Sequence, residues 1–241
     1  MAGITTPQTH APRDVRIEPI ADDAWRVVFG SAIDDATLAR VHALAARLAA
    51  HRLPGVVDIV PAYASLGVHV DLLQIDADEA VAWIRGALAG LDSAHTAAPA
   101  REVEIPVAYG GAFGPDLIES AALLGLDADA LVARHASVVY TVAMIGFAPG
   151  FPYLIGLPEA LALPRLASPR TRIPAGSVGI GGAQTGIYPR ESPGGWRILG
   201  RTPSVLFDPQ RDPPALLQPG DRVRFVPIDA DAFARLSKAA T

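Results

Sequence analysis

The chain contains no cysteine. Disulfides, thiolate nucleophiles and sulfur-ligated zinc or iron–sulfur sites are thereby excluded. Lysine is almost as scarce: Lys238, near the end, is the only one. A phosphate-loop or Schiff-base lysine is excluded unless that end does the chemistry. Anions must then be held by arginine, backbone N–H groups or a metal. No apolar run reaches the roughly 18 residues that span a bilayer. The first fourteen residues are polar and lack the apolar stretch of a secretory signal. Net charge is −5, with no basic arm, which argues against nucleic acid as the main partner. A soluble, cytoplasmic protein is expected, with neither a nucleic-acid nor a membrane partner.

Half of the 241 residues are hydrophobic and 19% are charged, so a folded core in one large or two modest domains is expected. Period-two alternation predicts strands at 15–20 and 24–29. Asp34-Asp35 opens a helix with Leu38, Val41, Leu44, Ala45 and Leu48 on its apolar face, and Pro54-Gly55 ends it. Strands at 56–60 and 66–72 follow, then a helix capped by Asp76. The order ββαββα predicts an α+β domain, a sheet with two helices on one face. Residues 92–101 lack periodicity and read as a linker. A strand restarts at Glu102, followed by two short helices, Pro115 to Leu124 and Asp127 to His135, and an apolar strand at 138–145. The domain boundaries expected are a flexible segment 1–14, an α+β domain 15–91, the linker 92–101, a β-rich domain 102–230 and a C-terminal tail 231–241.

Between Gly146 and Pro203 the composition changes. The stretch holds 11 Gly and 9 Pro, about twice an even share, so it reads as loops and short strands. It also holds six arginines (165, 170, 172, 190, 197, 201) against Glu159 and Glu191, a local excess of positive charge in an acidic protein. Short strands with Pro-Gly corners predict a β-barrel or sandwich.

Three segments here are candidates for chemistry. Phe147, Pro149, Phe151 and Tyr153 sit among rigid turns and line either a pocket or a packed barrel corner. Residues 174–186 are glycine-rich. The dinucleotide fingerprint fails because Gln184 stands where its last glycine belongs, leaving an anion-holding loop or a glycine-rich strand bend. Arg170 and Arg172 share one side of an extended segment, which suits an anion. Arg190 and Glu191 form either an exposed ion pair or a substrate clamp with an acid–base group. His135, the only histidine of the C-terminal half, ends a helix and reads as a cap, a packing residue or a proton carrier. No ligand spacing for a metal is visible.

The segments Gly146-Phe-Ala-Pro-Gly-Phe-Pro-Tyr-Leu154, Pro169-Arg-Thr-Arg-Ile-Pro-Ala-Gly-Ser-Val-Gly-Ile-Gly-Gly182, Gln184-Thr-Gly-Ile-Tyr-Pro189 and Glu191-Ser-Pro-Gly-Gly-Trp196 resemble the signature of the KipI family. That family is also labelled the B-type 5-oxoprolinase subunit or allophanate hydrolase subunit 1. Tyr109-Gly-Gly111, Phe113-Gly-Pro-Asp-Leu117, Gly200-Arg-Thr-Pro203 and Val60-Pro-Ala-Tyr63 match as well. Ala112 departs from the pattern, standing where an acid is expected.

The resemblance implies an α+β chain with a cyclophilin-like barrel as its second domain. It implies work beside two partner proteins, a KipA-type (C-type) 5-oxoprolinase subunit and an A-type one, in cleaving 5-oxoproline to glutamate with ATP. The nucleotide and its magnesium are expected at a partner interface or on the partner, and no biotin is expected on this chain. It implies His135 and Glu191 as proton handlers. Arg170, Arg172, Gln184, Thr185, Tyr188 and Arg190 would hold substrate or anion. Phe147, Pro149, Phe151, Tyr153, Gly181, Gly182 and Trp196 would line the groove. The alternatives are inhibition of a sensor histidine kinase and a part in a urea- or allophanate-type amide-processing complex.

Overall fold

The computed structural model describes residues 15–89, 91 and 100–239. The expected flexible segment 1–14 and most of the expected linker lie outside the described residues. The chain divides into two compact units, one ending at Ala97 and one beginning at Ala98.

In the first unit, strands β1 (Arg16–Ala21) and β2 (Ala24–Val28) form a hairpin, followed by helix α1 (Asp35–Ala50). Strands β3 (Val56–Pro61) and β4 (Ser65–Val70) and helix α2 (Ala77–Leu88) complete it. The sheet is antiparallel, in the order β1-β2-β4-β3. Both helices begin where an aspartate captures an orphan N–H: Asp34 accepts from Thr37 N and Asp76 from Glu79 N, each at 2.7 Å. Alternation along β4 sends Leu66, Val68 and Val70 into the core, where they meet Val41, Leu44 and Leu48 of α1 and Ile84 of α2.

The second unit opens with β5 (Glu102–Tyr109), helices α3 (Leu117–Leu123) and α4 (Ala128–Ala136), β6 (Val139–Ile145) and β7 (Pro152–Ile155). It continues through β8 (Arg170–Ile173), β9 (Ser177–Gly181), β10 (Gln184–Ile187), β11 (Ser192–Gly194), β12 (Arg197–Arg201), β13 (Arg222–Ile228) and helix α5 (Ala230–Ala239). Seven strands close a barrel in the order β10-β7-β6-β13-β5-β12-β9, while β8 and β11 pair as a separate ribbon. Only the β13–β5 pair of the barrel is parallel.

Period-two alternation explains where the core sits. Leu154, Ile187 and Leu199 point inward to join Ile105, Val107, Tyr140, Val223 and Phe225. Their neighbours Tyr153, Tyr188 and Ile198 belong to a second apolar cluster with Phe151, Ile173 and Trp196. Because Ile173 lies on β8, that cluster lies between the barrel wall and the ribbon.

Two elements differ from the sequence reading. Helix α3 starts at Leu117 rather than Pro115, and Asp116 before it makes no capping bond, because its carboxylate is engaged elsewhere. The residues from 230 form helix α5, opened by Asp229 accepting from Ala232 N at 2.7 Å. The Phe233 ring of that helix rests 4.6 Å from Phe113. No helix among the described residues is long and apolar enough to cross a membrane.

Candidate functional site

The outer aromatic cluster is built on glycine. A Cβ added to Gly181 would lie 2.5 Å from the Trp196 indole, and one on Gly186 would lie 3.0 Å from it. These positions are bare so that the indole can lie against β9 and β10. Phe151, Tyr153 and Tyr188 then meet Trp196 edge-on, with centroids 5.6, 6.1 and 6.5 Å away. The glycine-rich run thus serves ring packing and the ladder. The Gly182 N–H, a candidate anion donor, already donates to the Leu163 carbonyl at 2.8 Å.

Phe147 stands apart from the other rings. It is 61% exposed and has φ +66, and no other non-glycine residue among those described has a positive φ. The Ala148 N–H donates to the Gly146 carbonyl at 2.7 Å, closing a three-residue turn with Phe147 at its centre. With positive φ this is the rarer, strained form of γ-turn. The ring meets Phe151 at 5.4 Å and Tyr188 at 6.3 Å. Pro149, in the same loop, is exposed.

The arginines divide into compensated and uncompensated charges. Arg170 makes a bidentate pair with the buried Asp116, at 2.8 and 2.6 Å, and Asp116 also accepts from Ile198 N at 2.7 Å. Arg172 pairs bidentately with Glu191 at 2.9 and 3.0 Å, with both side chains mostly exposed. That pair holds the Glu191 carboxyl below its usual value, through the hydrogen bond first and the charge second. Arg197 is nearly buried and pairs with Glu119 at 3.0 Å. Arg190 and Arg165 are exposed and make no ion pair among the described residues. Gln184 is half-buried at the start of β10.

His135 and Thr185 lie elsewhere, inside the barrel. His135 is completely buried and stacks on Phe225 at 4.8 Å. The Thr185 hydroxyl donates to the Gly179 carbonyl, so it accepts from His135 Nε2–H at 3.0 Å. Nδ1 then accepts from the Tyr109 hydroxyl at 2.9 Å. Both nitrogens of the neutral imidazole are thus hydrogen-bonded, to Thr185 and Tyr109, and burial pushes its pKa down to about 3. A proton carrier needs a free lone pair and a path to substrate. The geometry gives His135 a packing role instead, and Thr185 is its partner rather than a groove residue.

Arg165, exposed and without an ion pair among the described residues, is a residue that the sequence reading did not single out. It appears there only as one of six arginines. Nothing local distinguishes a free guanidinium from one whose acid arrives from Asp116 or Glu119. Among the described residues no three His, Cys, Asp or Glu side chains gather as a metal-holding group.

Fold and site together define a two-unit α+β chain whose barrel packs an aromatic cluster under its ribbon, with Phe147 exposed and Tyr153 half-buried at its edge. The chain matches the carboxyltransferase domain family, subdomains C and D, over residues 15–217, and it belongs to that family. It is 41% identical to the B-type subunit of the 5-oxoprolinase of Bacillus subtilis (strain 168), over 88% of this chain and 92% of that protein. It is 48% identical to the corresponding B-type 5-oxoprolinase subunit of Escherichia coli O157:H7, over 78% of this chain and 84% of that protein. Among solved structures, TTHA0988 superposes with a TM-score of 0.76 at 40% identity, over 86% of this chain; this chain spans 40% of that one.

Proposed function

We propose that this chain is the B-type subunit of an ATP-dependent 5-oxoprolinase, which opens the cyclic amide of 5-oxoproline to give glutamate. The observation that carries the reading is 41% identity, along nearly the full length of both chains, to a 5-oxoprolinase subunit of the B type. The outer face suits the task, offering aromatic rings for a small planar amide and arginine for its carboxylate. Its partners in this reading are the KipA-type (C-type) and A-type subunits of the same enzyme, and the complex works in the cytoplasm.

An amide is a poor electrophile, and ATP when bound supplies the phosphoryl group that activates the amide oxygen. Asp116, Glu119 and Glu191 are each tied to an arginine, and no metal-holding cluster gathers among the described residues. In this reading nucleotide and magnesium sit at the interface with a partner or on the partner. The task left to this chain is to bind and orient the substrate. Phe147, exposed, and Tyr153, half-buried, hold the ring, and arginine holds the carboxylate. Glu191, exposed and kept ionised by Arg172, is the candidate proton acceptor.

The test is reconstitution of the three subunits, followed by ATP hydrolysis and glutamate release on adding 5-oxoproline. Activity that vanishes when this chain is left out is expected. A stable complex of all three that releases no glutamate would refute the reading.

A further inference from the structure

Helix α3 is short, yet its position is fixed at both ends. At its start the Asp116 N–H donates to the Ile198 carbonyl at 3.0 Å, and the Asp116 carboxylate accepts from Ile198 N at 2.7 Å. Arg170 grips the same carboxylate bidentately. One turn on, Glu119 pairs with Arg197 of β12 at 3.0 Å. At its end the Leu126 N–H donates to the Ala121 carbonyl at 2.9 Å and the Gly125 N–H to the Ala122 carbonyl at 3.1 Å. Gly125, at φ +67, makes that closure possible. Leu117, Ser120 and Ala121 are buried on the barrel side.

The opposite face is apolar and uncovered. Ile118 is 77% exposed and Leu123 56%, and Pro115 and Ala122 are exposed with them. Ile118 and Ala122, four apart, share one side of the helix, with Leu123 at their border. An apolar face held this rigidly binds at little ordering cost. The charge around it has one sign. From Gly111 to Ala133 the chain holds no Arg, Lys or His, and its acids are Asp116, Glu119, Asp127 and Asp129. Asp116 and Glu119 are paired with Arg170 and Arg197. Asp127 and Asp129, exposed where α4 begins, make no ion pair among the described residues. Two copies of this face brought together would supply no cation to answer those acids. The complementary surface must therefore bring its own.

We propose that the outer face of α3, edged by Asp127 and Asp129, docks another subunit of the 5-oxoprolinase through an apolar surface rimmed by arginine or lysine. The proposal rests on the 5-oxoprolinase reading and deepens it by placing a contact between subunits. Ile118 and Leu123 anchor the contact, and the two aspartates orient it and make it sensitive to salt.

The experiment measures Kd of this chain for the C-type and A-type subunits, each in turn, at low and high salt. Ile118→Ser combined with Leu123→Ser weakens binding to one of them about 10- to 100-fold. Asp127→Asn combined with Asp129→Asn weakens it a few-fold at low salt and flattens the salt dependence, while asparagine still caps α4. Val205→Ser, at another exposed apolar side chain of the barrel unit, binds as wild type does. Thermal unfolding of the variants is unchanged, because the removed side chains are exposed. Glutamate release by the serine variant returns to the wild-type rate at saturating partner. An unchanged Kd in the serine variant, or an equal loss in Val205→Ser, overturns the docking surface. Self-association of the isolated chain that the serine variant abolishes overturns it as well. In each case 5-oxoproline turnover by the wild-type complex leaves the 5-oxoprolinase reading intact. A wild-type complex with no such turnover overturns that reading, and this proposal with it.

Discussion

Acidification should destabilise the barrel through one residue, His135. The imidazole is completely buried and held neutral, with its pKa pushed down to about 3 from an ordinary 6.5. An unfolded chain takes up a proton below pH 6.5, whereas the folded barrel refuses it until about pH 3. The stabilisation is therefore present above pH 6.5 and is lost progressively as pH falls toward 3. At 1.36 kcal/mol per pH unit, the barrel at pH 5 is weaker than at pH 7.5 by about 2 kcal/mol. Tyr109 and Tyr140, the titratable groups around the ring, are both pushed upward by burial and stay neutral throughout. Trp25 and Trp83 lie in the first unit, so a Trp25→Phe, Trp83→Phe background leaves Trp196 as the barrel's own fluorescent reporter. Urea unfolding of that protein at pH 7.5, 6.5, 5.5 and 5.0 gives the curve. In His135→Gln, which cannot titrate, the fall to pH 5 should shrink to within about 0.5 kcal/mol of zero. Parallel falls in the two proteins would refute the reasoning.

Two further predictions concern the outer face. Gly181→Ala places a methyl group where the indole lies, so it should cost roughly 1–3 kcal/mol in urea unfolding and shift Trp196 emission. Phe147→Gly removes both the ring and the left-handed strain, so stability should hold or rise by up to about 1 kcal/mol. At the same time 5-oxoproline turnover in the reconstituted complex should fall about tenfold, because a stacking wall is gone.

Local chemistry explains what the sequence made readable. Asp34 and Asp76 announce helices because a capping carboxylate acts within three residues. The ββαββα order follows from periodicity alone, and the motif resemblance marks the barrel. The outer aromatic face was partly legible, since Phe147, Phe151, Tyr153, Tyr188 and Trp196 stood in one Gly/Pro-rich stretch. What escaped depends on long-range pairing. Asp116 lies 54 residues from Arg170, and Glu119 lies 78 from Arg197. Only the folded chain therefore separates the compensated arginines from Arg165 and Arg190. The choice among the three readings of His135 waited for the same reason, because its partners Tyr109 and Thr185 come from β5 and β10. The glycines of 179–186 suggest an open loop in sequence, and only the folded chain shows Trp196 seated over Gly181 and Gly186.

The central claim is that this chain's outer aromatic face holds the substrate. Hydrogen exchange of the reconstituted complex, with and without 5-oxoproline, tests it most directly. Slowed exchange is predicted at residues 146–153 and 182–196 of this chain when 5-oxoproline is added. Protection confined to the partner proteins, with these two segments unchanged, would contradict it.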